Sequence, residues 1–159
     1  MTLAGWRIVQ SRRVRTAFDG EGARRYGGRW NHKGTPVVYI GSSMSLAALE
    51  MLVHLPAPKV LNRYVVIPVE FDDSLCGWLD LTTLPHNWRN SPSLLATRDV
   101  GTDWVNKGAS AVLAIPSAVT PTEWNFMLNP KHPDFPKISV GAPQPYKYDP
   151  RLLKKTRKK

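Results

Sequence analysis

Apolar residues along the chain fall into short runs of two different periods, separated by Gly, Pro and Ser, and these runs predict strands and helices in irregular alternation. Trp6-Arg7-Ile8-Val9 reads as an opening strand. Pro36-Val37-Val38-Tyr39-Ile40, rich in β-branched and aromatic residues and bounded by Gly34 and Gly41, reads as a second. Ser42-Ser43 then offers a cap for a helix in which Leu46, Leu49 and Val53 recur at i, i+3 and i+7, ending at Leu55 before Pro56. Arg63 to Phe71 predicts a strand whose Pro68 implies an edge or a bulge. A loop over 85–92 leads into a helix with Pro92 in its first turn, running to about Lys107, although Gly101 weakens its middle. The continuous run Ala111-Val112-Leu113-Ala114-Ile115 predicts a strand buried on both faces, and Glu123 to Leu128 a weaker one closed by Asn129-Pro130. Residues 17–22 and 26–31 are glycine-punctuated loops, where the backbone can take a positive φ or approach a ligand closely. Several strands and two main helices without βαβ regularity indicate an α+β fold.

A chain of 159 residues, 42% of them apolar, is long enough to close one core and short for two domains. No apolar window reaches membrane-spanning length, and the N-terminus lacks the charged lead and apolar run of a secretion signal, so the cytoplasm is the default location. Cys76 is the single cysteine, and His32, His54, His86 and His132 are scattered, so neither a disulfide nor a metal is expected. The net charge of +10 suggests nucleic acid at first, but its distribution weakens that reading. Residues 1–33 carry eight Lys/Arg against Asp19 and Glu21; residues 34–150 carry eight against ten acids; residues 151–159 carry six against none. The last segment reads as a basic, flexible tail behind a domain over 1–150. The N-terminal arginines (Arg7, Arg12, Arg13, Arg15, Arg24, Arg25, Arg29) are spread among Gly and aromatic residues, which suits either a solvated face or an anion site.

Glu50 is the most informative position. It is the one charged residue between Lys33 and Lys59, on the most apolar helix of the chain, so it must be exposed, neutral or matched by a cation. The nearest upstream cation in a tight glycine setting is Arg29. Paired with it, Glu50 could form a buried structural ion pair. Alternatively, Glu50 positions a substrate hydroxyl or stabilises a developing cation while Arg29 holds a phosphate. Ser117, just past a strand end, is either turn chemistry or a binding hydroxyl in a cleft; with no GxSxG elbow or Ser-His-Asp set, attack is the weaker role. Tyr39 can fill the core or stack on a flat heterocycle, and Asn125 in its apolar strand is equally open. Gly27-Gly28 is not a P-loop, and Gly20-x-Gly22 is no dinucleotide fingerprint.

Taken in chain order, Ala17-Phe18-Asp19-Gly20-Glu21-Gly22-Ala23, Tyr26-Gly27-Gly28-Arg29-Trp30-Asn31, Gly34 to Ile40, Leu46-Ala47-Ala48-Leu49-Glu50 and Ile115-Pro116-Ser117, with Asn125 and the stretch Asn129 to Phe135, resemble the RES domain, over roughly residues 6–135. Arg29, Glu50 and Ser117 match the Arg, Glu and Ser that name that family, and Tyr39 matches an active-site tyrosine. The resemblance implies a compact single domain similar to the ADP-ribosyltransferase fold. It also implies the toxin of a bacterial RES-Xre toxin-antitoxin pair that cleaves the nicotinamide-ribose bond of NAD, by hydrolysis or phosphorolysis, and arrests growth. An alternative within the family is transfer of ADP-ribose to a protein. NAD would be a substrate, with no cofactor or metal. The implied partners are an Xre-type helix-turn-helix antitoxin, through which DNA would be contacted, and a second toxin copy. On this reading Arg29 engages a phosphate, Tyr39 stacks on nicotinamide, Glu50 stabilises the positive charge, and Ser117 and Asn125 bind substrate. The competing class is a non-catalytic nucleic-acid-binding protein that uses the basic N-terminal segment, the six tryptophans and the basic tail.

Overall fold

The computed structural model describes residues 1–152. Eight strands and three α-helices follow one another as β1 (Thr2–Gln10), α1 (Glu21–Tyr26), β2 (Val38–Gly41), α2 (Met44–Leu52), β3 (Tyr64–Asp72), β4 (Cys76–Trp78), α3 (Leu95–Lys107), β5 (Val112–Pro116), β6 (Trp124–Leu128), β7 (Ser139–Val140) and β8 (Gln144–Tyr146). All strands join one mixed sheet in the order β4-β5-β6-β2-β1-β3-β7, with β8 also pairing β3; only β4 and β5 run parallel. The expected α+β class is the observed one. No helix among the described residues is long and apolar enough to cross a membrane.

The period-two pattern of the central strands divides the core between the two sheet faces. Val38 and Ile40 of β2, Val112 and Ala114 of β5, and Phe126 and Leu128 of β6 point one way and meet Val69 and Phe71 of β3 in one cluster. These residues span strands from β5 to β3, so the sheet must curl around them. On the opposite face Leu113, Ile115 and Met127 pack with Trp30, Val37 and Trp104, while Ile8 and Val66 pack under Ala47 and Ala48 of α2. Residues 112–116 are buried throughout, as expected of a strand covered on both faces. β6, read from sequence as the weaker strand, lies at the centre of the sheet between β5 and β2.

Several boundaries move. α2 begins at Met44 because Ser43 caps it, its hydroxyl accepting from the Leu46 amide at 3.0 Å, and it ends at Leu52 rather than Leu55. α3 starts at Leu95, so Pro92 lies ahead of the helix rather than in its first turn. β1 is longer than the four residues expected, because all nine positions pair with β3. Pro68 causes no bulge: the register runs through it unbroken. Its carbonyl faces outward to accept from the Gly141 amide at 2.8 Å, so its missing N–H also faces the outer edge, in the gap between β8 and β7. Gly101, suspect as a mid-helix residue, is there because nothing larger fits. A Cβ would stand 2.6 Å from Met127 Cε and 3.0 Å from the Trp30 carbonyl carbon, with the Trp30 oxygen closer still. The basic tail expected over 151–159 lies, from residue 153, outside the described residues. Arg151 sits in a short turn, Pro150–Leu152, and pairs with Asp149.

Candidate active site

The site assembles on the sheet face that carries Leu113, Ile115 and Met127. Gly41 faces Asn125 across the β2–β6 pair, and Ile115 faces Asn125 across β5–β6. Cross-strand partners share a face and alternate positions along a strand do too, so Tyr39, Gly41, Asn125, Ile115 and Ser117 all point to the same side. Gly41 lets α2 lie directly on this surface, since a Cβ there would sit 2.7 Å from the Ala47 amide nitrogen. That close seating brings Glu50, from the helix, down onto Asn125 and Ser117.

Glu50 is half-buried, and one of its oxygens is held by two donors: Ser117 Oγ and Asn125 Nδ2 each reach Oε1 at 2.7 Å. Both partners are neutral, and both point a hydrogen at the same oxygen. Among the described residues Oε2 has no hydrogen-bond partner. Ser117 is fully buried, and its hydroxyl is used completely: besides donating to Glu50 it accepts from the amides of Val119 at 3.1 Å and Thr120 at 3.0 Å. Asn125 is nearly as buried, and its Oδ1 has no hydrogen-bond partner among the described residues.

Arg29 comes from the glycine loop that follows α1. It does not ion-pair with Glu50; its Nη1 donates to the Trp88 and Asn90 carbonyls at 2.9 and 2.8 Å. The buried Arg29–Glu50 ion pair entertained from sequence is therefore replaced by backbone anchoring, because the 85–92 loop offers carbonyls nearer to the guanidinium. Partial burial lowers the pKa of Arg29, the charge of Glu50 works against that, and Arg89 adds to it. Glu50 and Arg89 therefore each lie within electrostatic reach of Arg29.

Tyr39 supports the same loop. Its hydroxyl donates to Asn31 Oδ1 at 2.6 Å, and burial pushes its pKa upward. Asn31, fully buried, gives its Nδ2 hydrogens to the carbonyls of Ala23, His32 and Thr35, and so holds residues 23–35 together around the tyrosine. Gly28 makes room for this junction, since a Cβ there would stand 2.9 Å from Asn31 Oδ1 and 3.0 Å from the Tyr39 hydroxyl. Behind the loop, Trp30 meets Trp88 with ring centroids 5.7 Å apart.

The structure thus brings Glu50, Ser117 and Asn125 into direct contact and sets Arg29 within electrostatic reach, with Tyr39 on the same sheet face. It adds three participants that the sequence reading passed over: the Trp88 and Asn90 carbonyls and Arg89. The carbonyls lie 59 and 61 positions from Arg29 and carry no side-chain signature. The remaining N-terminal arginines divide, with Arg12, Arg13 and Arg15 exposed together on the turn Ser11–Thr16. Arg7 turns inward to the carbonyls of Ala17 and Tyr39, its pKa pushed down by burial to about 10 with Asp19 opposing, while Arg24 and Arg25 pair with Glu21.

The site is thus an anchored carboxylate on the curled mixed sheet of an α+β domain, with an arginine held on the adjoining loop. The chain belongs to the RES domain family, whose model matches residues 4–149. It is 41% identical over 148 residues to a protein named Toxin Res from Yersinia enterocolitica, covering 92% of this chain and 97% of that one. It is 36% identical over 150 residues to a Toxin Res of Photorhabdus laumondii, covering 94% and 96%. It is also 37% identical over 161 residues to a Prs ADP-ribosylating toxin of a Sphingobium species, covering 98% and 99%. The fold is shared, at a TM-score of 0.74 and 18% identity, with a chain of the crystal structure of the M. tuberculosis MbcT-MbcA toxin-antitoxin complex, over 96% of this chain and 87% of that one.

Proposed function

We propose that this protein is the toxin of a RES toxin-antitoxin pair and that it consumes NAD by breaking the nicotinamide-ribose bond. The observation that carries the reading is the Glu50 carboxylate, with Oε1 fixed by Ser117 and Asn125 and Oε2 left without a partner among the described residues. Cleavage of that bond sends its electron pair to the nicotinamide nitrogen and leaves an oxocarbenium-like ribose, which a fixed negative charge stabilises more than it stabilises the ground state. Water then adds at the anomeric carbon, giving ADP-ribose and one released proton; phosphate or a protein side chain in place of water gives phosphorolysis or ADP-ribosylation. Ser117, buried and fully hydrogen-bonded, serves by holding Glu50 rather than by touching substrate. Asn125 helps to hold it through its Nδ2. Arg29 supplies positive charge for a phosphate, and Tyr39, its hydroxyl tied to Asn31, contributes ring surface and holds the loop.

Transfer to a protein acceptor is the second reading, favoured by the full-length relative named as an ADP-ribosylating toxin. The family points to an antitoxin partner, in line with the structural neighbour solved as a toxin-antitoxin complex. An Xre-type antitoxin, DNA contact only through it, a toxin dimer and a cytoplasmic location are the further parts of this proposal. The nucleic-acid reading loses Arg7, which turns inward, and Arg24 and Arg25, which pair with Glu21, and keeps only the exposed Arg12, Arg13 and Arg15 of its N-terminal segment.

The test is purified protein given NAD, with and without inorganic phosphate, with free nicotinamide measured. Nicotinamide release that falls a hundredfold or more in Glu50→Gln is the expected result. Intact NAD in every condition, including with added cell lysate as acceptor, overturns the reading. Free ADP-ribose, its phosphate ester or a labelled protein band separates the three acceptors.

A further inference from the structure

Arg89 was singled out by no motif. It lies on the 85–92 loop, between the two residues whose carbonyls hold Arg29 Nη1. Its own Nε donates to the Ala118 carbonyl at 3.0 Å, and Ala118 directly follows the serine that holds Glu50. The bonds run from Glu50 to Ser117, from Ala118 to Arg89, and from the Trp88 and Asn90 carbonyls to Arg29. Two guanidiniums are thereby set on one rim, each fastened by only part of its donor fork. Arg29 keeps Nε and Nη2, and Arg89 keeps Nη1 and Nη2, with no hydrogen-bond partner among the described residues. Neither has a carboxylate partner there, whereas Arg24, Arg25 and Arg151 do. Two like charges held near each other with free donor edges form an arrangement that an anion with several oxygens would complete.

We propose that Arg89 and Arg29 together form a clamp for a pyrophosphate, with Arg89 fixing the diphosphate bridge of a dinucleotide whose ribose faces Glu50. This rests on the NAD reading above and extends it by naming a second anion-binding residue. The geometry gives the two arginines different duties. Arg29 is held twice by backbone and half-buried, so it sets the register. Arg89 is exposed and held once, so it can close on the ligand from solvent.

The experiment compares wild type, Arg89→Ala and Arg89→Lys on three ligands. NAD turnover is followed by nicotinamide release; turnover of nicotinamide riboside, which has the scissile bond but no phosphate, is followed in the same way. Binding of ADP-ribose and of inorganic pyrophosphate to the full chain is followed by calorimetry. The expected result is a KM for NAD raised roughly tenfold to a hundredfold in Arg89→Ala, the range a charge-assisted bidentate contact commands. Nicotinamide riboside turnover should be unchanged. ADP-ribose and pyrophosphate should bind more weakly by a similar factor, with a shallower salt dependence, and Arg89→Lys should recover part of the loss. A merely structural role through Ala118 would instead lower kcat for NAD and nicotinamide riboside alike, and that result overturns the clamp. Unchanged KM and unchanged ADP-ribose affinity overturn it while leaving the NAD reading intact. If wild type turns over neither substrate, the NAD reading fails by itself and pyrophosphate binding still decides the clamp; absence of that binding overturns it as well.

Discussion

Gly101→Ala opposes a local preference to a tertiary one, and the structure decides the sign. In an exposed helix interior the change from Gly to Ala stabilises by about 1 kcal/mol. At position 101 the new methyl would stand 2.6 Å from Met127 Cε and closer still to the Trp30 carbonyl oxygen. Met127 can turn its flexible end away, but the oxygen belongs to backbone, so α3 or the 27–31 loop must move. Overpacking of this kind costs about 1–3 kcal/mol, and a rigid backbone atom places the cost at the upper end. The net expectation is a loss of about 2 kcal/mol, equivalent to a Tm lower by about 4–8 °C in a chain of this size. Because Trp30 neighbours Arg29, the displacement should also raise KM for NAD. Thermal and urea unfolding of the purified variant, with NAD turnover alongside, provide the check. A variant as stable as wild type, or more so, would refute the packing argument, because propensity would then have prevailed over contact.

Other outcomes follow from single contacts. Ser117→Ala removes a charge-assisted bond to Glu50 and strips an acceptor from two amides that solvent can partly reach; about 2–4 kcal/mol of stability should go, with kcat for NAD falling far more than KM rises, as steady-state kinetics on the folded fraction would show. Burial pushes the Cys76 thiol pKa up to about 11, assisted by Asp73 and opposed by a backbone hydrogen bond from Ala114. The thiolate is the reactive form, so iodoacetamide at pH 8 should alkylate native Cys76 roughly a hundredfold more slowly than the urea-unfolded chain; equal rates would contradict its burial. Tyr148→Phe deletes a buried hydroxyl that donates to the Ala48 carbonyl at 3.1 Å, and urea unfolding should show a loss of about 1 kcal/mol. Glu21 accepts from Arg24 and Arg25, which hold its carboxyl at about 2 against burial. Its folded pKa lies below the unfolded one, so whatever α1 gains from it is complete above about pH 4.5 and is lost as pH falls toward 2; acid titration of Glu21→Gln should lack that component.

Much of the architecture was legible in the chain because its signals are local. A run buried on both faces declared β5, Ser42-Ser43 offered the cap of α2, and an isolated acid on an apolar helix marked Glu50. The family resemblance rested on the order of several motifs along the chain rather than on any one of them, and it singled out Arg29, Tyr39, Ser117 and Asn125 together. What escaped was short or bonded from a distance: β4, β7 and β8 are two or three residues long and owe their pairing to neighbours already in place, and α1 is a six-residue helix between two glycines.

By itself, then, the sequence determined which segments alternate as strands or wind as helices, and which side chains could carry chemistry, since both follow from residue type and spacing along the chain. Only the tertiary structure decided what those side chains do to one another. Glu50 takes its donors from residues 67 and 75 positions away, and Arg29 is held by carbonyls that any residue could have supplied. Hydrogen bonds between distant backbone and side-chain atoms depend on register and curl, which no local window of sequence encodes.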